Sequence, residues 1–140
     1  MASYLSNYFP YKLLSLITGK TFKAVLMASG FTFNRATHKL YADISGSELP
    51  TAYGYTAGGI VLSGAAAAQD DVNMKGTLTF NNVTFIPSGG NVTFCGAILY
   101  NSTDNIVCGF ADAGGNVTAI DGVGYVISNL IMSIGTTPCS

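Results

Sequence analysis

The sequence predicts a mainly β protein, an antiparallel β-sandwich or a jelly-roll-like barrel with a short helix at its N-terminus. From Gly59 onward, turn residues interrupt the chain about every 10 to 15 residues, and β-branched and aromatic residues fill the runs between them. No helical pattern alternates with these runs, as a parallel α/β fold would require. We expect an N-terminal helical arm over residues 1–20 and a single β-sandwich domain over residues 21–140.

The N-terminal arm is predicted to be an amphipathic helix. Apolar residues recur there at helical spacing, at Leu5, Phe9, Leu13 and Leu16. Pro10 cannot lie in a helix interior without a kink, so the helix is expected to begin near Asn7 or Pro10 and to end at Gly19. Such an arm either covers the core or anchors the chain to a neighbouring subunit.

The first strand is predicted over Phe22–Ala28, and an ordered insertion follows it over residues 31–59. This insertion fits neither helix nor strand for its whole length. A short helix is predicted within it over Thr37–Ile44, while Pro50 and the later glycines predict turns.

The remaining chain is predicted to form strands joined by turns. These strands cover residues 59–68, 74–87, 91–100, 105–113 and 116–135, the last of which can hold one or two. A slip in the alternation at Asn81 and Asn82 indicates a bulge or a tight turn. Asn101–Asn105 is predicted to be a hairpin loop and Gly114–Asn116 a turn.

The charge content is low. Only 9% of the 140 residues are charged, against about 25% in ordinary soluble domains. A folded monomer of this mass would expose about 7,000 Å², or about 500 Å² for each charged group. Because mixed charges normally keep a protein soluble, such a surface should associate with partners. The net charge of −1 gives no electrostatic footprint for nucleic acid.

Neither a membrane span nor a secretory signal is predicted. No window of about 18 residues is continuously apolar. The apolar run Leu13–Ile17 is short for the hydrophobic region of a signal peptide, and only Lys12 precedes it as a charge. We therefore expect a protein that is made in a cytosol and works inside an assembly.

The three cysteines are expected to be reduced and structural. They are Cys95, Cys108 and Cys139, and an odd number argues against a disulfide framework. If Asn101–Asn105 is a hairpin loop, Ile98 lies opposite Cys108, and Cys95 has the opposite face parity, which disfavours a bond between them. No CxxC motif or Cys/His cluster indicates zinc.

The chain offers weak candidates for catalysis. His38 is the only histidine, and pairing it with a carboxylate such as Asp112 would still need an activated serine, for which no GxSxG motif is present. The adjacent carboxylates of Asp70 and Asp71 should point apart at a strand end. The remaining acids are scattered among predicted turns. We therefore expect a protein that is not an enzyme and has no cofactor or metal.

Four Asn-x-Ser/Thr motifs and two glycine-rich segments are expected to be structural. Without a signal peptide we do not expect the four motifs to be glycosylated, and the three Asn-Val-Thr motifs, at Asn82, Asn91 and Asn116, are expected to mark entries from turns into strands. The segments YTAGG and ADAGGN lack the Lys-Ser/Thr that follows a phosphate loop, so turns are expected there.

Several segments taken together resemble a family of small virion structural proteins of tailed bacteriophages. They are FTFN at Phe31–Asn34, the pair Thr37-His38, DISGSEL at Asp43–Leu49, GYTAGG at Gly54–Gly59 and the hairpin-like AILYNSTDNIVCGFADAGG at Ala97–Gly115. The likeness covers most of the chain from Phe22 onward. The apolar segments GAAAAQ and ISNLIMSIG depart from the acidic, polar strands of much of that family and favour buried contacts.

The resemblance implies a non-enzymatic virion protein, made in the host cytoplasm and bound to the capsid exterior as a decoration or cement subunit. It further implies a homotrimer with the major capsid protein or other virion proteins as partners, and neither nucleic acid nor membrane. A tail or fibre adaptor, or a host-receptor-binding module, is the alternative. A carbohydrate-binding module is a third hypothesis, which the absence of Trp disfavours.

Six aromatic residues are the candidate subunit-interface residues, because aromatic side chains are enriched at interfaces. They are Phe9, Phe31, Phe33, Tyr41, Tyr53 and Tyr55. The alternative for each of them is that it covers the core of its own domain.

Overall fold

A computed structural model describes residues 4–135, and their contacts divide the chain into two units. The first unit comprises residues 4–19, 63–81 and 129–135, and the second comprises residues 20–62 and 82–128. All strand pairing in both units is antiparallel. The predicted mainly β fold with a helix near the N-terminus is confirmed.

The helices are α1 (Tyr8–Ser15) and α2 (Tyr41–Ile44), the second of which continues into a 3-10 turn over Ser45–Ser47. The strands are β1 (Phe22–Met27), β2 (Ile60–Val61), β3 (Ala66–Asp70), β4 (Lys75–Thr79), β5 (Val83–Phe85), β6 (Val92–Asn101), β7 (Ile106–Ala119), β8 (Tyr125–Ile127) and β9 (Ile131–Gly135).

The first unit is a three-stranded sheet in the order β3-β4-β9 with helix α1 packed on β3 and β4. Pro10 is the third residue of α1, in its first turn as expected, and is buried with Leu14. The predicted end at Gly19 is wrong, because Leu16 caps the helix in a right-handed conformation. The hydroxyl of Thr18 donates to the carbonyl of Ser15 at 2.9 Å, which satisfies one of the last helix carbonyls without a glycine cap.

Gly76 lets α1 lie directly on the sheet. A Cβ atom at this position would lie 2.6 Å from the amide nitrogen of Tyr11 and 2.7 Å from the carbonyl carbon of Pro10. Both atoms belong to the helix backbone and cannot rotate away. The close contact between α1 and β4 therefore requires glycine at position 76.

The second unit contains a four-stranded sheet in the order β2-β1-β6-β7 and a two-stranded sheet of β5 and β8. The ring of Phe94 on β6 meets Tyr125 on β8 edge-on at 5.2 Å, so the small sheet packs on the large one as in a sandwich. Within residues 4–135 no sheet closes on itself, which favours the predicted sandwich over the predicted barrel.

Strand β1 supplies much of the core of the second unit. Five of its six residues are buried, because β6 pairs along its whole length and both of its faces are covered. Val25 and Met27 join a cluster with Ile44, Cys95 and Ile98. A strand buried on both faces shows no alternation of apolar and polar residues, as the sequence FKAVLM illustrates.

Two long predicted strands are each divided in the structure. The predicted strand over residues 59–68 is split into β2 and β3, because Gly64 adopts a positive φ of 70° between them. The predicted strand over residues 74–87 is split into β4 and β5, which belong to different sheets. Asn81 and Asn82 therefore link two sheets, and their interpretation as a bulge or tight turn is wrong. The last predicted strand region, 116–135, holds the end of β7 together with β8 and β9.

The loop between β6 and β7 begins one residue later than predicted, and the register differs. Asn101 belongs to β6 and pairs with Ile106, so Tyr100 pairs with Val107 rather than Ile106. A bulge between Leu99 and Tyr100 then skips Cys108 of β7, so Ile98 pairs with Phe110 rather than Cys108.

Cys95 and Cys108 are free thiols, as expected from the sequence. Cys95 is buried, and its thiol donates to the carbonyl of Ala28 at 3.2 Å. Burial raises the pKa of the Cys108 thiol. Cys139 lies outside the described residues.

The grouping of contacts changes between residues 19 and 20, next to the predicted boundary of the arm. It also joins β3, β4 and β9, which lie inside the predicted domain of residues 21–140, to the helix. The division into an arm and one domain stays a prediction.

Replacing Gly76 with alanine should lower the free energy of unfolding by about 1–3 kcal/mol, because the new methyl group would push α1 off β4. Gly109→Ala is the matched control, since Gly109 also lies in a strand and a Cβ there would meet nothing within 4 Å. Urea unfolding of the two variants checks this. Equal midpoints for both would contradict the close contact.

Candidate functional site

The carboxylate of Glu48 holds the insertion of residues 31–59 together. Its Oε1 accepts hydrogen bonds from the hydroxyl of Tyr55 at 2.7 Å and from the amide of Gly58 at 2.6 Å. Its Oε2 accepts a hydrogen bond from the hydroxyl of Tyr41. Because the three donors come from separate parts of the insertion, one side chain fixes its short helix and both of its later turns.

Tyr55 connects this cluster to the large sheet. Its hydroxyl oxygen accepts a hydrogen bond from the amide of Leu26 at 3.1 Å. Beside it, the amide of Leu49 donates to the carbonyl of Leu26 at 3.0 Å, and the amide of Ala28 donates to the carbonyl of Ser47 at 2.8 Å. The insertion therefore extends the pairing along the edge of β1 beyond the short strand β2.

The two tyrosines that bind Glu48 remain neutral at physiological pH. Burial and the hydrogen bond to Glu48 raise the pKa of Tyr41 to about 12. The same two causes, burial first, raise the pKa of Tyr55 further above its ordinary value. Both side chains consequently act as permanent hydrogen-bond donors, and the cluster serves to hold the insertion rather than to transfer protons.

Of the six predicted interface residues, two are clearly exposed and one is clearly buried. Phe9 and Tyr53 are each 50% exposed, so both offer surface to a partner. Tyr55 is only 2% exposed, and its prediction as a contact residue is wrong. Its ring packs edge-on against Phe85 at 6.2 Å, which makes it part of the core.

The other three predicted interface residues, Phe31, Phe33 and Tyr41, are half-buried against the core cluster of the second unit. The ring of Tyr41 lies 5.2 Å from that of Tyr100. Their inner faces cover the domain's own core, and only the remaining surface is open to a ligand or a partner.

Phe31, Phe33, Phe110 and His38 form an aromatic cluster. The ring of His38 is stacked on Phe31 at 5.3 Å and tilted against Phe33 at 5.8 Å, and Phe110 meets the same two phenylalanines at 5.4 and 5.9 Å. The Nδ1 atom of His38 accepts a hydrogen bond from the amide of Asn34 at 3.1 Å. These contacts fix the orientation of all four rings.

A cavity of about 650 Å³ opens beside this aromatic cluster in the second unit. Three phenylalanines line it as an apolar wall and three polar side chains as a rim: Phe31, Phe33 and Phe110, and Arg35, Asp112 and Asn116, respectively. The volume lies in the range of small-molecule binding sites.

A bulge in β7 provides one side of the cavity. Phe94 of β6 pairs with Val117, and Gly96 pairs with Asp112, so a single residue of β6 faces the four residues 113–116. Three of these residues, Gly114, Gly115 and Asn116, line the cavity. Bulges of this kind are frequent next to binding and active sites.

The turn predicted over Gly114–Asn116 is wrong, because these residues form the bulge inside β7. The strand continues through this segment, because Gly114 and Gly115 adopt positive φ angles of 79° and 147°. The Oδ1 atom of Asp112 accepts a hydrogen bond from the amide of Gly114 at 2.8 Å, which stabilises the bulge.

Gly96 allows the ring of Phe110 to approach β6 closely. A Cβ atom at position 96 would lie 2.6 Å from that ring and 2.5 Å from the carbonyl oxygen of Ala111. A larger residue would displace Phe110 from the wall of the cavity.

Most other carboxylates serve local turns, as the sequence suggested. Asp43 accepts hydrogen bonds from the backbone amides of Leu40 and Lys39, and Asp70 accepts them from the side-chain amide and the backbone amide of Asn73. These hydrogen bonds hold the pKa of both carboxyl groups below the ordinary value. Among residues 4–135, no group of three or more His, Cys, Asp and Glu side chains could hold a metal ion.

The outward side of α1 forms a second candidate surface, in the first unit. Three apolar residues of the helix and its C-cap are exposed there at helical spacing, and we call them the apolar helix face: Phe9, Leu13 and Leu16. Leu16 alone is 76% exposed. Lys12 is the one charged residue in α1, and its ammonium lies over the ring of Tyr8 at 5.3 Å.

Comparisons with protein-family models, with curated proteins and with solved structures find no match to this chain. No helix in the described residues has both the length and the apolar character that a membrane crossing requires.

Sequence reasoning missed the role of Glu48 and the cavity. Glu48 stands seven residues from Tyr41 and seven from Tyr55, a symmetric arrangement that could have indicated a shared acceptor. The cavity depends on the pair Gly114-Gly115, and two glycines in a β-rich segment are compatible with either a turn or a bulge.

Replacing Tyr55 with phenylalanine should lower the free energy of unfolding by about 1–3 kcal/mol, because the buried amide of Leu26 would lose its acceptor. Tyr53→Phe is the matched control, since Tyr53 is half-exposed, and its effect should stay within about 0.5 kcal/mol. Urea unfolding measures both values. Similar losses from the two substitutions would show that the Glu48 cluster does not hold the insertion.

Proposed function

We propose that this chain is a non-enzymatic bacteriophage virion structural protein, a capsid decoration or cement subunit that stabilises the shell through contacts with its neighbours. One observation carries the proposal. The apolar helix face is exposed on a chain in which only 9% of residues are charged. Large exposed apolar patches mark interaction sites.

The orientation of α1 supports an assembly role. A surface helix normally turns its apolar stripe toward the core and its polar side toward water. At α1 the stripe of Phe9, Leu13 and the C-cap residue Leu16 is exposed, while Pro10 and Leu14 are buried. Covering the stripe with a second apolar surface would remove several large side chains from water, each worth about 1.5–3 kcal/mol when fully buried.

The virion as the place of assembly rests on the resemblance of the segments between Phe31 and Gly115 to phage structural proteins. A subunit on a particle surface works at high local concentration and need not remain monomeric alone. Its partners would be further copies of the chain, as a homotrimer, and the major capsid protein or another virion protein. The contacts would be apolar and would involve no chemical step.

The position in the particle is tested by the copy number. Quantitative mass spectrometry of purified particles should find the chain at hundreds of copies, on the order expected for a shell with repeated symmetric sites. Roughly three to eighteen copies, as tail symmetry allows, would place it instead as a tail or fibre component. Absence from purified particles would reject the proposal.

The role of the helix face is tested by the double substitution Phe9→Glu and Leu16→Lys. An acidic residue in the first turn and a basic residue at the last turn both favour the helix dipole, so α1 itself should be preserved. We expect the self-association of the purified chain, measured by sedimentation velocity, to fall at least about tenfold in affinity, because each charge would be desolvated in the contact.

The control for this test introduces the same two charges elsewhere. Val72→Glu with Ile120→Lys alters two residues that are 90% and 55% exposed and lie outside α1. Association should be unchanged in this variant. An equal loss in both variants would mean that added charge raises solubility in general, and that the helix face is not the contact.

A further inference from the structure

We propose that the cavity bounded by the aromatic cluster and the bulge of β7 binds a neutral saccharide, as a single pyranose ring or a short oligosaccharide. This inference goes beyond the virion role and does not depend on it. It rests on how the backbone builds the cavity, on its apolar wall, on its polar rim and on the balance of charge around it.

The backbone departs from regular geometry at three places around the cavity. Gly30, which directly precedes the insertion, has a positive φ of 83°, and the bulge contains two further positive φ angles at Gly114 and Gly115. Gly96 makes room for the ring of Phe110. A regular ladder between β6 and β7 would leave no cavity here, and each departure costs conformational free energy. Their convergence at one place indicates a built site.

The apolar wall suits the C–H face of a sugar ring. Phe31, Phe33 and Phe110 are half-buried and line the cavity, so part of each ring is accessible to a ligand. Contacts among these rings and with His38 fix their positions before any ligand arrives. A wall ordered in advance loses little entropy on binding, which favours a small ligand with few contacts.

The polar rim supplies three side-chain groups that each carry two neighbouring polar atoms able to form hydrogen bonds. The guanidinium of Arg35 and the amide of Asn116 are planar, and within residues 4–135 neither side chain hydrogen-bonds to another residue. Asp112 uses Oδ1 for the bulge and keeps Oδ2 available. Neighbouring hydroxyl groups of a pyranose can both donate and accept, so they match this mixture of donors and acceptors.

The charges around the rim favour a neutral ligand. Arg35 contributes one positive charge and Asp112 one negative charge, and both line the cavity. A phosphate would approach the carboxylate of Asp112, and an ammonium group would approach the guanidinium of Arg35. A ligand whose charge has a single sign therefore meets one repulsive group, whereas an uncharged polyol meets none.

The test uses the full chain labelled with ¹⁵N and titrated, by NMR, with glucose, galactose, mannose, N-acetylglucosamine, lactose and chitobiose. At least one of these saccharides should shift the amide signals of Gly114, Gly115 and Asn116 in a saturable manner. Saturation transfer should run from aromatic protons to the ring protons of the same saccharide. The amide of Tyr53, which lies outside the residues lining the cavity, should not respond.

Two matched variants keep the test independent of folding. Arg35→Ala removes an exposed side chain without a partner. It should lower the affinity for the tightest-binding saccharide at least about tenfold, because a hydrogen bond to a charged group contributes about that much to binding. Lys39→Ala removes an exposed cation from the same insertion but outside the cavity, and affinity should stay within about twofold. Arg35→Lys should recover only part of the loss, because an ammonium group lacks the planar pair of donors.

Three outcomes would overturn the proposal. The first is that none of the six saccharides produces a saturable shift at Gly114, Gly115 and Asn116. The second is an equal loss of affinity in Arg35→Ala and Lys39→Ala. The third is tighter binding of inorganic phosphate, glucosamine or adenosine than of every neutral saccharide, since the site would then select an ionic or a planar ligand. Because the purified chain alone is titrated, none of these results depends on whether the chain occurs in a virion.

Discussion

Glu48 accepts hydrogen bonds from Tyr41, Tyr55 and Gly58, and Tyr55 in turn accepts one from the amide of Leu26. Leaving the buried hydroxyl of Tyr55 or the buried amide of Leu26 without a partner would cost more than their hydrogen bond contributes when made. The arrangement is therefore cooperative, because the loss of one donor would leave Glu48 less well fixed and so weaken its hydrogen bonds to the other donors. A segment with little regular secondary structure becomes a fixed part of the second unit through this one carboxylate and its contacts with β1.

The cavity depends on the order that this cluster imposes. The insertion leaves β1 at Ala28, whose carbonyl receives the thiol of Cys95, and returns beside it at Ser47. Both ends of the segment that carries Phe31 and Phe33 are consequently held by the sheet. The opposite wall comes from β7, where the bulge displaces residues that a regular strand would keep in the sheet. Two irregular segments thus enclose a space that neither would define alone.

The sequence was sufficient where local chemistry decides the outcome, as for the start of α1 near Pro10, for strand β1 and for the loop between β6 and β7. It was insufficient where the structure of a segment is set by contacts with residues far away in the sequence. Alternation of apolar residues predicts a strand but does not say which sheet receives it, so the divisions at Gly64 and at Asn81 were not found. Tyr53 and Tyr55 have the same local surroundings, and only the positions of Glu48 and Leu26 make the second a core residue. The pair Gly114-Gly115 is equally compatible with a turn, so the cavity could not be predicted either.

The two units differ in the kind of surface they expose: the second has ordered aromatic side chains around a cavity, and the first has exposed apolar residues on α1. In the second unit, aromatic side chains are held by internal hydrogen bonds and ring contacts, so their polar tips are satisfied before any partner binds. In the first unit, Phe9 and Leu13 of α1 and the C-cap residue Leu16 are exposed and have no polar atom to orient them. Such a surface gains free energy from almost any complementary apolar surface, whereas a rigid aromatic wall with a planar polar rim selects by shape and hydrogen bonding. Association and selective recognition would therefore use different parts of the chain, and substitutions on α1 should not alter the chemistry of the cavity.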